Sequence, residues 1–150
     1  MAKRLLTDVD IDATPDRVWE VLTDLAAYPA WNPFIVRAEG VVETGRRLTL
    51  TMQPLGGRAT TLRPRLVEVD VPRRLRWRGT VGVPGLVDAE HTFTLEPRGS
   101  GTRLLHQEDF HGALVPLLAA SLDRNTLPAF VAMNEALKSR AERAASYLRG

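Results

Sequence analysis

The 150-residue chain contains no cysteine. That absence excludes a disulfide framework, a thiolate zinc site, an iron–sulfur cluster and a cysteine nucleophile. No apolar run approaches the roughly 20 residues that a membrane-spanning helix needs. Lys3 and Arg4 are followed by Asp8, Asp10 and Asp12, where a signal peptide would carry its apolar stretch. A cytoplasmic protein is therefore expected, with no membrane insertion. No Ser/Gly linker, repeat or composition break divides the sequence, so a single domain over residues 1–150 is expected. Charge segregation is missing too. Twenty basic residues against 18 acidic ones give a net charge of +2, yet the pI is about 9.5 because 18 of the basic residues are arginine. Nucleic-acid binding needs a segregated basic face, whereas Asp and Glu are interspersed here, so no nucleic-acid partner is expected. What is present, 44% apolar and 25% charged residues, is the composition of an ordinary globular domain.

Residues 3–12 alternate as a strand, with Leu5, Thr7, Val9 and Ile11 on one face and the three aspartates on the other. Thr14-Pro15-Asp16 supplies an N-cap, a first-turn proline and an acid at the positive helix end. The helix runs to about Thr23 on Val18, Val21, Leu22 and Leu25, with Trp19 beside the stripe; a second short helix around 24–29 ends at Tyr28-Pro29. Extended segments follow at about 35–43, 46–54, 58–70, 73–80, 87–97 and 102–111. Glu43-Thr44-Gly45 and Arg98-Gly99-Ser100-Gly101 read as the clearest hairpin connections, and Pro64 suggests an edge or a bulge. Helical periodicity returns over 114–122, breaks at Asp123-Arg124-Asn125-Thr126, and resumes from about Leu127 to Leu148 with Thr126 as cap. Phe130, Met133, Leu137, Ala141, Ala144 and Leu148 form its apolar stripe. Sequential strands joined by short turns imply an antiparallel sheet whose apolar face the last helix covers.

Several stretches resemble the helix-grip superfamily that includes START domains, the birch-pollen-allergen family and bacterial polyketide cyclases (the SRPBCC group). They are Thr14-Pro15-Asp16-Arg17-Val18-Trp19, Tyr28-Pro29-Ala30-Trp31-Asn32-Pro33-Phe34, Leu75-Arg76-Trp77-Arg78-Gly79, Gly101-Thr102-Arg103 through Glu108, Phe110 and Gly112, and Phe130 through Met133-Asn134 to Ala136-Leu137-Lys138. The likeness spans nearly the whole chain and is specific for fold rather than activity. It implies an α+β helix-grip fold: a curved seven-stranded antiparallel sheet wrapped around a long C-terminal helix, with two short helices after the first strand. It further implies a pocket between sheet and helix for an apolar or aromatic small molecule, lipid- or polyketide-like, with no cofactor. A bent sheet closed by one helix cannot fill its interior evenly, and cavities are costly unless occupied.

Parity identifies the inward side chains. On 87–97 His91, Phe93 and Leu95 share a face, and a hairpin through Gly99-Ser100 pairs residues whose numbers sum to 199, setting Phe93 against His106 and His91 against Glu108. Leu75 and Trp77 point inward on the preceding strand, which leaves Arg74, Arg76 and Arg78 outside. The expected row is Trp77, His91, Glu108. One reading is a hydrogen-bonded histidine–carboxylate pair in a partly wet interior. Another is ligand orientation. A third is proton transfer by His91, His106 or Glu108 in a polyketide cyclase/aromatase-like enzyme, since a carboxylate raises and burial lowers a histidine pKa.

Trp31, Phe34, Met52, Phe110, Phe130, Met133 and Leu137 are apolar pocket candidates, and Asn134 beside the helix stripe is a polar one; each also reads as plain core or surface. Arg63 and Arg65 are unsettled by Pro64; one of them, with Arg65 the candidate, entering the pocket would bind a carboxylate or phenolate. Arg73, Arg74, Arg76 and Arg78 read as a solvated, partly paired outer face, with Arg78 against Glu90. Gly56-Gly57 lacks the lysine of a phosphate loop, Ser121 and Ser139 lack a nucleophile elbow, and His91, His106 and His111 have no zinc spacing, so no metal is expected. A protein-interaction module is disfavoured by the arginine-rich outer strands. The oligomeric state stays open between monomer and homodimer.

Overall fold

The computed structural model describes residues 2–149, with side chains described through Arg143. Strand β1 (Ala2–Ile11) leads into α1 (Pro15–Thr23), a 3-10 turn (Leu25–Ala27) and the short α2 (Tyr28–Trp31). Seven more strands follow: β2 (Ile35–Glu39), β3 (Thr49–Met52), β4 (Thr60–Leu62), β5 (Arg65–Asp70), β6 (Arg74–Val81), β7 (Val87–Arg98) and β8 (Gly101–His111). The chain ends in α3 (Val115–Ser121), a π-helical turn (Leu122–Thr126) and α4 (Leu127–Arg149). This is the expected α+β helix-grip architecture.

The strands form two antiparallel sheets, ordered β1-β8-β7-β6-β5 and β2-β3-β4. Residues 45–48 stitch them together: Gly45 N–H donates to Leu66 C=O at 2.7 Å, and Leu66 N–H returns to Arg46 C=O at 2.8 Å. Eight strands stand where seven were expected, because segment 58–70 breaks at Arg63-Pro64. Pro64 has no N–H for a ladder, and the chain turns there from one sheet to the other. Residues 40–48 leave the ladder as well, so β2 and β3 are shorter than their apolar patterns suggested.

The β7–β8 register follows the two-residue turn. Gly99, at φ +59, takes its first central position, and Arg98 pairs with Gly101, Phe93 with His106, and His91 with Glu108. Trp77 stands opposite His91 and Arg78 opposite Glu90, all as the parity argument requires.

Three helical expectations change. Thr14 caps α1 by accepting from Arg17 N–H at 3.2 Å, as read. However, the segment after α1 does not stop at Pro29, which enters the first turn of α2, where a missing N–H costs nothing. Residues 123–126 do not break the C-terminal helix either, and Thr126 is no cap. The helix widens into a π turn in which Leu127 N–H bonds to Leu122 C=O. Leu55 N–H donates to Asn125 C=O at 3.0 Å, tying the 55–58 loop to that turn. Along α4, Phe130, Met133, Leu137 and Ala141 are fully buried, while the side chains of Ala144 and Leu148 lie outside the described residues. Lys138 Nζ donates to Asp10 C=O, and Glu142 accepts from Asp12 N–H, fixing α4 to the end of β1.

Candidate functional site

Two zones share the concave side of the sheet. The first lies beside α4 and is solid. Phe130 stacks on His106 with centroids 4.1 Å apart and 7° between planes, and Trp77 stacks on His91 at 4.9 Å. Phe93 closes against His106 at 4.4 Å. Met133 and Leu137 have no exposure, so the space expected along the long helix is filled by side chains.

The second zone is a cavity of about 350 Å³ nearer the N-terminal end of the C-terminal helical segment. Phe34, Met52, Leu62, Val87 and Phe110 supply its apolar walls, and Leu118, Leu122 and Thr126 roof it. Pro54, Thr60, Val81 and Ala89 complete the lining, and Glu108 is its one ionisable group. Thr60, Val81 and Leu118 are exposed, which gives the cavity its opening. Its volume falls in the usual range for a small-molecule site.

Four predicted contacts, Phe34, Met52, Glu108 and Phe110, stand on the cavity wall. Trp77, His91, Phe93, His106, Phe130, Met133, Asn134 and Leu137 form the packed interior behind it. Trp31 packs edge-on against Tyr28 at 5.2 Å. Its neighbour Asn32 is buried, with Oδ1 accepting from the N–H groups of Phe34 and Ile35, both at 2.9 Å; this stretch is a packed corner that aims Phe34 at the cavity. Arg65 does not enter. Pro64 and Leu66 take the buried positions, so Arg63 and Arg65 both face solvent, and Arg65 Nη1 donates to Gly45 C=O.

The polar groups behind the wall form a continuous chain. Thr7 Oγ1 donates to His106 C=O at 3.1 Å, and Asn134 Nδ2 donates to Thr7 Oγ1 at 2.7 Å. Asn134 Oδ1 lies 2.7 Å from His106 Nδ1, and His106 Nε2 lies 2.6 Å from His91 Nε2. His91 Nδ1 faces Glu108 Oε2 at 3.3 Å, but without hydrogen-bond alignment. Burial, then the neighbouring His91, hold His106 well below the usual imidazole pKa, only partly offset by Asn134. His106 is thus held neutral. Glu108 is 7% exposed and stands on the cavity wall.

Sequence reasoning missed the roof and the chain's far end. Leu118, Leu122 and Thr126 recur at four-residue spacing, the signal of one helix face, and would have been found had residues 123–126 been read as continuous helix. Thr7 has no such signal, since 127 residues separate it from Asn134. Among the described residues no group of three or more His, Asp or Glu is placed to hold a metal ion, and no helix is long and apolar enough to cross a membrane.

A curved antiparallel wall gripping a C-terminal helix over an apolar cavity defines a helix-grip protein. The chain belongs to the family described as polyketide cyclase/dehydrase and lipid transport, which its sequence matches over residues 4–148. No curated protein matches it significantly. Solved structures share the fold at low identity. An aromatase/cyclase, Zhui from Streptomyces sp. R1128, is 21% identical with a TM-score of 0.76, over 97% of this chain and 96% of that one. Norcoclaurine synthase from Thalictrum flavum is 16% identical with a TM-score of 0.74, over 97% of each chain. The di-domain aromatase/cyclase StfQ of the steffimycin pathway is 14% identical with a TM-score of 0.78, over 97% of this chain and 53% of that one.

Proposed function

We propose that this protein binds an apolar or aromatic small molecule in the cavity between the sheet and the α3–π-turn roof. The supporting observation is the wall itself: Phe34, Met52, Leu62, Phe110, Leu118 and Leu122 around a single carboxylate, Glu108. Burying an aromatic ligand against such a surface yields about 25 cal/mol per Å² of apolar area, without demanding that the cavity stay empty. Titrating 2-naphthol into isotope-labelled protein should shift the resonances of the wall residues. Ala89→Phe, which fills the cavity, should abolish those shifts while the circular dichroism spectrum is retained. Shifts located elsewhere, or unchanged in the variant, would refute the assignment.

A second reading, a cyclase/aromatase-like enzyme that works without a cofactor, is favoured by one feature. The sole ionisable group on the wall is backed by an imidazole, as general acid–base chemistry on a ketone requires. The cavity would then hold a poly-β-ketone in a reactive conformation, with Glu108 touching it and His91 behind. Retained binding with turnover cut by about 100-fold or more in Glu108→Gln would identify the enzyme; loss of binding without turnover in either form would identify a carrier or sensor.

A further inference from the structure

The polar chain behind the cavity has acceptors at both ends: the His106 carbonyl oxygen can only accept, and so can an ionised Glu108. Direction is fixed from the carbonyl end. Thr7 spends its only proton on His106 C=O, so it accepts from Asn134 Nδ2. Asn134 Oδ1 then faces His106, which must carry its proton on Nδ1. The bare His106 Nε2 therefore accepts from His91 Nε2–H. Each neutral group has now supplied the one proton its contact needs, and nothing remains for His91 Nδ1 against Glu108 Oε2. With Glu108 ionised and His91 neutral, a lone pair would face a carboxylate inside the protein. That contact is also the one in the chain without hydrogen-bond alignment, at 3.3 Å.

We infer that Glu108 and His91 hold one proton between them, so that the wall offers a neutral proton-sharing pair with a free acceptor oxygen to an apolar ligand bearing a phenolic hydroxyl. When the proton sits on Glu108, the carboxyl donates it to His91 Nδ1, and the other carboxyl oxygen is left to accept from a ligand hydroxyl. When it moves to His91 Nδ1, the carboxylate accepts from a ligand hydroxyl. No further ionisable group lines the cavity, and among the described residues no lysine or arginine is ion-paired with Glu108. Leu5 stands opposite Glu108 on β1 and His91 opposite it on β7, Phe34 shares the cavity wall with it, and His91 is packed by Trp77, Phe93, His106 and Phe130. Buried His106 stays neutral beside them. Thr7, Asn134 and His106 are thus positioning residues that lock His91 in one orientation.

The ligand class rests on the binding reading above; the proton assignment does not, and the test separates them. Long-range 15N–1H spectra of the imidazoles, with the 13C shift of the Glu108 carboxyl, should show at pH 7 His106 protonated on Nδ1 alone, His91 protonated on Nε2, and one proton across His91 Nδ1 and Glu108. A neutral His91 beside an ionised Glu108, or His106 protonated on Nε2, overturns the inference. Glu108→Gln, whose amide can donate to His91 Nδ1, should fold and leave His91 locked as the Nε2–H tautomer. In the ligand arm, 2-naphthol should bind about tenfold tighter than naphthalene, and Glu108→Leu should erase that preference. If neither probe binds, the cavity reading fails while the spectra still decide the proton. If both bind and the preference survives in Glu108→Leu, the ligand class is refuted.

Discussion

Asn134 shows how much one side chain can hold in place. It is 2% exposed and joins three elements, taking a proton from His106 on β8 and giving one to Thr7 on β1 from its own position on α4. Truncating it strands the buried His106 Nδ1–H, at about 1–3 kcal/mol, takes a donor from the half-buried Thr7 hydroxyl and removes packed side-chain atoms. Asn134→Ala should lower unfolding free energy by about 2–4 kcal/mol and free the His106 tautomer, both measurable by urea titration and NMR. His106 carries a pH signature of its own. Its folded pKa lies below the ordinary 6.5, so above that pH it is neutral in both folded and unfolded states and contributes no slope. As the pH falls below about 6.5, the unfolded chain takes up a proton that the fold refuses. Stability should therefore decline from pH 6.5 to 5 with a slope approaching 1.4 kcal/mol per unit. His106→Gln should flatten that segment; a wild-type curve already flat there would show that the folded imidazole is not protected.

At the scale of elements, the roof is the loosely held part. Within α3 only Val115 is buried, and Leu117 is 80% exposed. The roof is tied to the 85–86 loop by Ala113 N–H to Gly85 C=O and Leu114 N–H to Leu86 C=O. Gly112 makes that approach feasible. Its φ is +135, and a Cβ there would meet Leu86 O at 2.2 Å, so Gly112→Ala should cost about 2–4 kcal/mol. It should also weaken 2-naphthol binding and raise hydrogen exchange in α3 more than in β7 and β8. Equal loss of protection throughout would mean that roof and sheet unfold together. The elements were mostly legible beforehand, because period-2 and period-3.6 patterns survive tertiary packing, and a two-residue turn leaves no freedom in register. What escaped were the places where the backbone changes partners. Pro64 announced trouble but not a change of sheet, and Asp123-Arg124-Asn125-Thr126 look like a loop because all four are polar, although only Asp123 and Arg124 face solvent and Thr126 turns to the cavity.

For the molecule as a whole, the two faces of the five-stranded sheet carry opposite kinds of stability. The outer face is an arginine–carboxylate lattice: Arg76 bridges Glu68 at 3.1 Å and Glu90 at 3.4 Å, and Arg78 joins Glu90 at 2.7 Å. These groups are partly solvated, so each pair is worth about 0–1 kcal/mol. The inner face is aromatic and dry beside α4 and open only under the roof. Parity could place Phe93, His106 and Glu108 on that face together, but which of them touches empty space depends on sheet curvature and on where α3 settles, and neither is written in local periodicity. Phe130 lies between the two zones, 5.3 Å from Phe34 and 5.2 Å from His91 by ring centroids. Its removal should therefore do two things at once. Phe130→Ala should cost about 3–5 kcal/mol by leaving a hole in the packed zone, and by unclamping His91 it should also reduce the preference for 2-naphthol over naphthalene. Arg76→Ala, on the other face, should cost under about 1 kcal/mol and leave that preference intact. Parallel denaturant titrations and binding measurements on the two variants test this division. Equal destabilisation would mean that the outer lattice carries far more of the fold than solvated ion pairs can supply.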